Sequence, residues 1–79
     1  MIGIFAYKAN SAEQTKIWIE KFSKTKIKFV YTPTDVLDCN LLILSGGKDI
    51  GVDIERDTVE LNTLDIANRK GIKIIGICI

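Results

Sequence analysis

The sequence predicts an α/β fold built on a parallel sheet. Three observations carry that expectation. Four short runs rich in β-branched residues stand at Ile2 to Ala6, Ile27 to Tyr31, Leu41 to Leu44 and Ile72 to Ile77. Segments with helical periodicity lie between the first pair and between the last pair, and strands alternating with helical crossovers imply a parallel sheet covered on both faces. The chain has 79 residues, 47% of them hydrophobic, which is globular composition with room for one small domain over residues 1–79.

The first strand, Ile2 to Ala6, begins almost at the amino terminus. Ser11 and Gln14 stand three residues apart, the spacing of a capping box, and open a first helix. Thr15, Trp18, Ile19 and Phe22 follow at the spacing of one buried face, so Trp18 is expected in the core. The second strand carries Lys26 and Lys28 at alternate positions, preceded by Lys24. Two readings fit these lysines: a charged edge strand that resists pairing with other chains, or an anion-binding patch.

The segment from Thr32 to Asp38 is too short for a full helix, and a single turn begun at Pro33 is expected. After the third strand, Arg56 to Lys70 reads as a second helix, stopped by Gly71 and packed through Leu61, Leu64 and Ala67. Right-handed crossovers leave few strand orders. The flavodoxin-like order 2-1-3-4 is expected, with helices on both faces and the sheet truncated after the fourth strand.

Composition excludes several function classes. The formal charge is +1, with acids and bases interspersed, which gives no field for nucleic acid or an anionic membrane. The apolar run from Ile72 to Ile79, interrupted by Lys73, is far too short to cross a bilayer. Two cysteines, Cys39 and Cys78, suggest no disulfide framework, and a reducing cytoplasm is the expected compartment. Without histidine the pair makes a poor zinc site, and no cofactor is expected.

Open parallel sheets bind ligands at the carboxyl ends of their strands. Two such ends carry chemistry. The third strand runs out through Leu44-Ser45-Gly46-Gly47-Lys48-Asp49, and the fourth through Gly76-Ile77-Cys78. Consecutive glycines let a backbone approach a ligand closely and turn its N–H groups inward, and such amides can hold the oxyanion of an acyl-transfer intermediate. A thiol at the neighbouring strand end is a candidate nucleophile for the same carbonyl. Gly76, two residues earlier, is expected to allow the close packing of a strand-to-helix elbow. A nucleophilic thiol usually needs a base, most often histidine, and the chain contains none.

Other residues keep two readings each. Arg56 and Glu60, one helical turn apart, are either an exposed ion pair worth roughly 0.2–0.5 kcal/mol or a buried acid with its partner near the site. Asp49 is either a turn residue bonding its own backbone or a substrate contact. Asp57 reads as a favourable charge in the first helical turn, and Cys39 as structural.

Taken in order, Ser45-Gly46-Gly47-Lys48-Asp49-Ile50, Arg56-Asp57 with Glu60, and Gly76-Ile77-Cys78 resemble the N-terminal part of class I glutamine amidotransferase-like proteins, closest to the γ-glutamyl hydrolase branch. The resemblance spans nearly the whole chain. It implies that Cys78 forms a thioester with glutamine or a γ-glutamyl compound. It also implies that the backbone amides of Gly47 and Ile79 form the oxyanion hole, and that Gly46, Asp49, Arg56 and Glu60 belong to the substrate loop or its support. Family members draw a histidine and an acid from far downstream, in a domain over twice this length. By that likeness the chain is an N-terminal portion, inactive alone, and its partners are a synthetase or a complementary C-terminal segment. The run from Gly51 to Glu55 is shorter than the proline-containing loop that relatives often carry. The competing reading is a small non-enzymatic flavodoxin-like module that binds a ligand or docks through its open strand edge.

Overall fold

The computed structural model describes residues 1–45 and 53–77. Four strands, β1 (Ile2–Phe5), β2 (Ile27–Val30), β3 (Leu41–Ser45) and β4 (Lys73–Ile77), form one sheet in the order β2-β1-β3-β4. Every neighbouring pair is parallel: Ile2 faces Ile27 on one side and Leu41 on the other, and Leu41 faces Lys73. This is the flavodoxin-like arrangement the strand spacing predicts. Helix α1 (Ala12–Glu20) joins β1 to β2, a 3-10 helix at Pro33–Asp38 joins β2 to β3, and α2 (Ile54–Arg69) precedes β4.

Side-chain alternation along the strands divides the core in two. Ile4 and Ile43 point to one face and pack with Ala12 and Ile19 of α1. Phe5, Val30 and Leu42 point to the other face and meet Val36 and Cys39 of the 3-10 segment and Ala67 of α2. The helices therefore cover both faces.

Local rules account for most element ends. Asp53 caps α2, its carboxylate accepting the amide of Arg56 at 3.1 Å. At the other end the amide of Gly71 donates to Asn68 and that of Ile72 to Ala67, a Schellman closure, with Gly71 at φ 70°. The 3-10 helix starts at Pro33, as expected, and Asp35 folds back to accept the amides of Tyr31 and Thr32. Gly3 has a packing reason: a Cβ there would stand 2.7 Å from Sγ of Cys39 and 2.9 Å from Val30.

Several expectations are corrected. The side chain of Ser11 does not cap α1; its carbonyl does the work, accepting the amide of Thr15 at 3.0 Å and its hydroxyl at 2.8 Å. Thr15 and Ile19 are buried as expected, but Trp18 is 55% exposed and Phe22 75% exposed. The two rings pack against each other at a tilt of 60° instead, centroids 5.3 Å apart. The helix reaches the sheet through Ala12, Thr15 and Ile19, and one position further round points away from it. In α2, Ala67 is buried and Leu64 is half-buried and packed against the core, as expected, but Leu61 is exposed and Arg56 and Thr63 are buried in addition. Thr63 is tolerated there because its hydroxyl donates to the carbonyl of Val59 at 2.7 Å.

The two sheet edges differ. β2, the edge at one side, carries Lys26 before it and Lys28 within it, the latter bonded to Asp38 at 3.0 Å. β4, the opposite edge, exposes Ile74 and Ile75.

Candidate active site at the carboxyl edge of the sheet

Because all four strands are parallel, their carboxyl ends share one edge. The register pairs Ser45 at the end of β3 with Ile77 at the end of β4. In sequence the next residues are Gly46 after the one and Cys78 after the other. Gly46, Gly47, Asp49, Cys78 and Ile79 lie outside the described residues. Gly76 is described, and a Cβ there meets nothing within 4 Å among the described residues; the elbow packing expected of it lies outside the described residues.

The described part of the edge is a charged cluster where β1 runs out beside the start of α2. Tyr7 donates its hydroxyl hydrogen to Glu55, which holds the phenol above its ordinary pKa. Lys8 stands 3.2 Å from Asp53 and 3.7 Å from Glu55, and the bond to Asp53 raises its ammonium pKa. Lys8 adopts φ 50°, the left-handed region that residues with a Cβ avoid.

Arg56 forms the inner wall. It is 5% exposed, its guanidinium carbon lies 5.6 Å from the ring centroid of Phe5, and Nη1 is 2.8 Å from Oε2 of Glu60. The arginine end of the pair is therefore buried, while Glu60 stays partly exposed. Nε of Arg56 is buried with no hydrogen-bond partner among the described residues. Asp57 falls in the first turn of α2, where a negative charge suits the helix end.

Sequence reasoning found Arg56 and Glu60 but missed Tyr7, Lys8, Asp53 and Glu55. Asp53 was findable, since an aspartate three residues ahead of a helical position is a capping signal. Tyr7 and Lys8 carry no local signal; only the strand order brings them to α2. Cys39 is buried under α2 and the 3-10 segment, and desolvation pushes its thiol pKa up. That agrees with a structural role.

Beside the end of β4, a groove of about 370 Å³ runs along α1, lined by Thr15, Ile17, Trp18 and Ile77. Among the described residues no cluster of histidine, cysteine, aspartate or glutamate could hold a metal ion, and no helix is long and apolar enough to cross a membrane. No family model, no curated protein and no solved structure matches the chain.

Proposed function

We propose that the chain is the N-terminal segment of a glutamine amidotransferase-like γ-glutamyl hydrolase, with Cys78 as the nucleophile. The observation that carries this reading is the register of Ser45 against Ile77. Gly46-Gly47 and Cys78 each follow in sequence from neighbouring parallel strand ends, where a donor pair and a nucleophile can address one carbonyl. The sulfur attacks the side-chain amide carbonyl of glutamine or a γ-glutamyl compound, the amide C–N bond breaks, and water then cleaves the thioester. The amides of Gly47 and Ile79 hold the oxyanion, and Arg56 with Glu60 supports the loop that carries Gly46 and Asp49.

The 79 residues contain no histidine. A proton acceptor for the thiol has to come from a complementary segment or partner chain, and the chain by itself turns over no γ-glutamyl amide. A reducing cytoplasm suits such a thiol.

The test is covalent trapping by a chloroketone analogue of glutamine, read by peptide mass mapping, with the buried Cys39 as the internal reference. Preferential modification of Cys78 that free glutamine suppresses supports the reading. Equal, unsuppressed modification of both cysteines sinks it, and favours the second reading, a non-enzymatic flavodoxin-like binding or interaction module. The missing histidine is what speaks for that alternative.

A further inference from the structure

The amino edge of the sheet, opposite the proposed catalytic edge, holds a second concavity of about 480 Å³. It lies between α1 and the start of β2, and its lining includes Lys16 and Glu20 from the helix, Lys24 and Lys26 from the connection, and Lys28 from the strand. Four lysines and the amino terminus of Met1 thus line the hollow with one carboxylate, on a chain whose formal charge is only +1.

Two of the groove's cations are engaged: Lys28 with Asp38 at 3.0 Å, and the amino terminus of Met1 with Oδ1 of Asn40 at 2.7 Å. Among the described residues no carboxylate stands within ion-pair distance of Lys16, Lys24 or Lys26. Lys16 instead lies over the ring of Phe29, 5.8 Å from its centroid. Protection of an edge strand explains a lysine on β2. It does not explain a helical lysine and a connection lysine converging on the same hollow.

We propose that this groove binds a compact polyphosphate anion, a triphosphate group or a small molecule that bears one. Lysine ammonium groups are compact point charges with three donors each, suited to phosphate oxygens approached from several directions. The volume falls within the roughly 300–1,000 Å³ of small-ligand pockets, which favours a compact ligand over a polymer lying across the surface. The site is separate from the carboxyl edge and does not depend on the reading of Cys78.

The experiment is an amide-resolved NMR titration of the full chain with inorganic triphosphate at low salt. Saturable shifts confined to Lys16 and the stretch from Ser23 to Lys28 are expected. The Lys24→Gln/Lys26→Gln double variant should weaken binding about tenfold, the scale of two screened charge contacts. Raising the salt concentration should weaken the wild-type interaction too. Shifts that stay linear, spread over the surface or survive high salt would overturn the proposal, whether or not the variant folds. So would an unchanged affinity in a folded double variant, or tighter binding of a single-stranded oligonucleotide than of triphosphate.

Discussion

Nη1 of Arg56 lies 2.8 Å from Oε2 of Glu60, and the arginine is 5% exposed. The same i,i+4 spacing recurs in α2 between Asp65 and Arg69, 3.2 Å apart, where both side chains stand in solvent. Identical spacing thus gives two different interactions. Removing Glu60, itself partly exposed, leaves the buried Arg56 charge uncompensated, at a cost of up to about 3 kcal/mol, while an exposed pair contributes about 0.2–0.5 kcal/mol. Glu60→Ala should therefore lower unfolding stability far more than Asp65→Ala in urea titrations. Equal losses would mean that Arg56 is solvated in solution.

Gly3 tests the packing of β1 under the 3-10 segment. A methyl group there meets Sγ of Cys39 and a methyl of Val30 inside contact distance. Gly3→Ala should cost about 1–3 kcal/mol as an overpacked core position. Gly76→Ala, with nothing within 4 Å among the described residues, should be close to neutral in the same assay.

How much was legible beforehand follows from these residues. Strand positions, their order, the turn at Pro33 and the stop at Gly71 were readable because β-branched runs, proline and glycine act locally. Which side of α1 is buried was readable only in part: Thr15 and Ile19 face the sheet as expected, Trp18 and Phe22 do not. Trp18 and Phe22 outweigh Ala12 and Thr15 in apolar size, yet the position facing the sheet is set by how the helix docks, not by bulk. The depth of Arg56 was equally hidden, since Phe5 and Glu60 reach it from different parts of the chain. Adjacency of the ends of β3 and β4 followed from strand order and is the part of the candidate site that the sequence made readable.

Acid should loosen the turn between β2 and β3. The amides of Tyr31 and then Thr32 hold the Asp35 carboxyl below its ordinary 3.8, and Lys28 lowers that of Asp38. In each case the folded pKa is the depressed one. The stabilisation is complete above the unfolded value and is lost as pH falls through the folded value. Stability measured by denaturant titration should decline below about pH 4, and Asp35→Asn should flatten part of that decline. An unchanged acid limb in the variant would remove Asp35 from the account.

Lys8 combines an unfavourable backbone with favourable charge contacts. Lys8→Gly and Lys8→Ala both remove the ammonium near Asp53 and Glu55, but only alanine keeps the Cβ at φ 50°. The glycine variant should be more stable than the alanine variant by about 1 kcal/mol. Equal thermal midpoints for the two would show that the left-handed backbone carries no cost.

The free edge of β4 predicts solution behaviour. Ile74 and Ile75 are exposed on an edge strand that pairs, among the described residues, with β3 alone, whereas β2 is guarded by lysines. Ile75→Lys should reduce concentration-dependent light scattering without loss of helical circular dichroism, and a wild-type chain that is already monodisperse would contradict this.

The all-parallel register also sets how the chain must find its shape. Ile2 meets Ile27 and Leu41, 25 and 39 positions on, and Leu41 meets Lys73, 32 positions on. No strand can pair with a near neighbour through a hairpin, so every rung of the sheet requires a long loop to close first. Helices α1 and α2 can form locally on submicrosecond timescales, while the sheet has to wait for distant encounters. Refolding should show helical circular dichroism well ahead of protection of the strand amides in pulsed hydrogen exchange, with the isoleucine-rich strands uncovered during the interval.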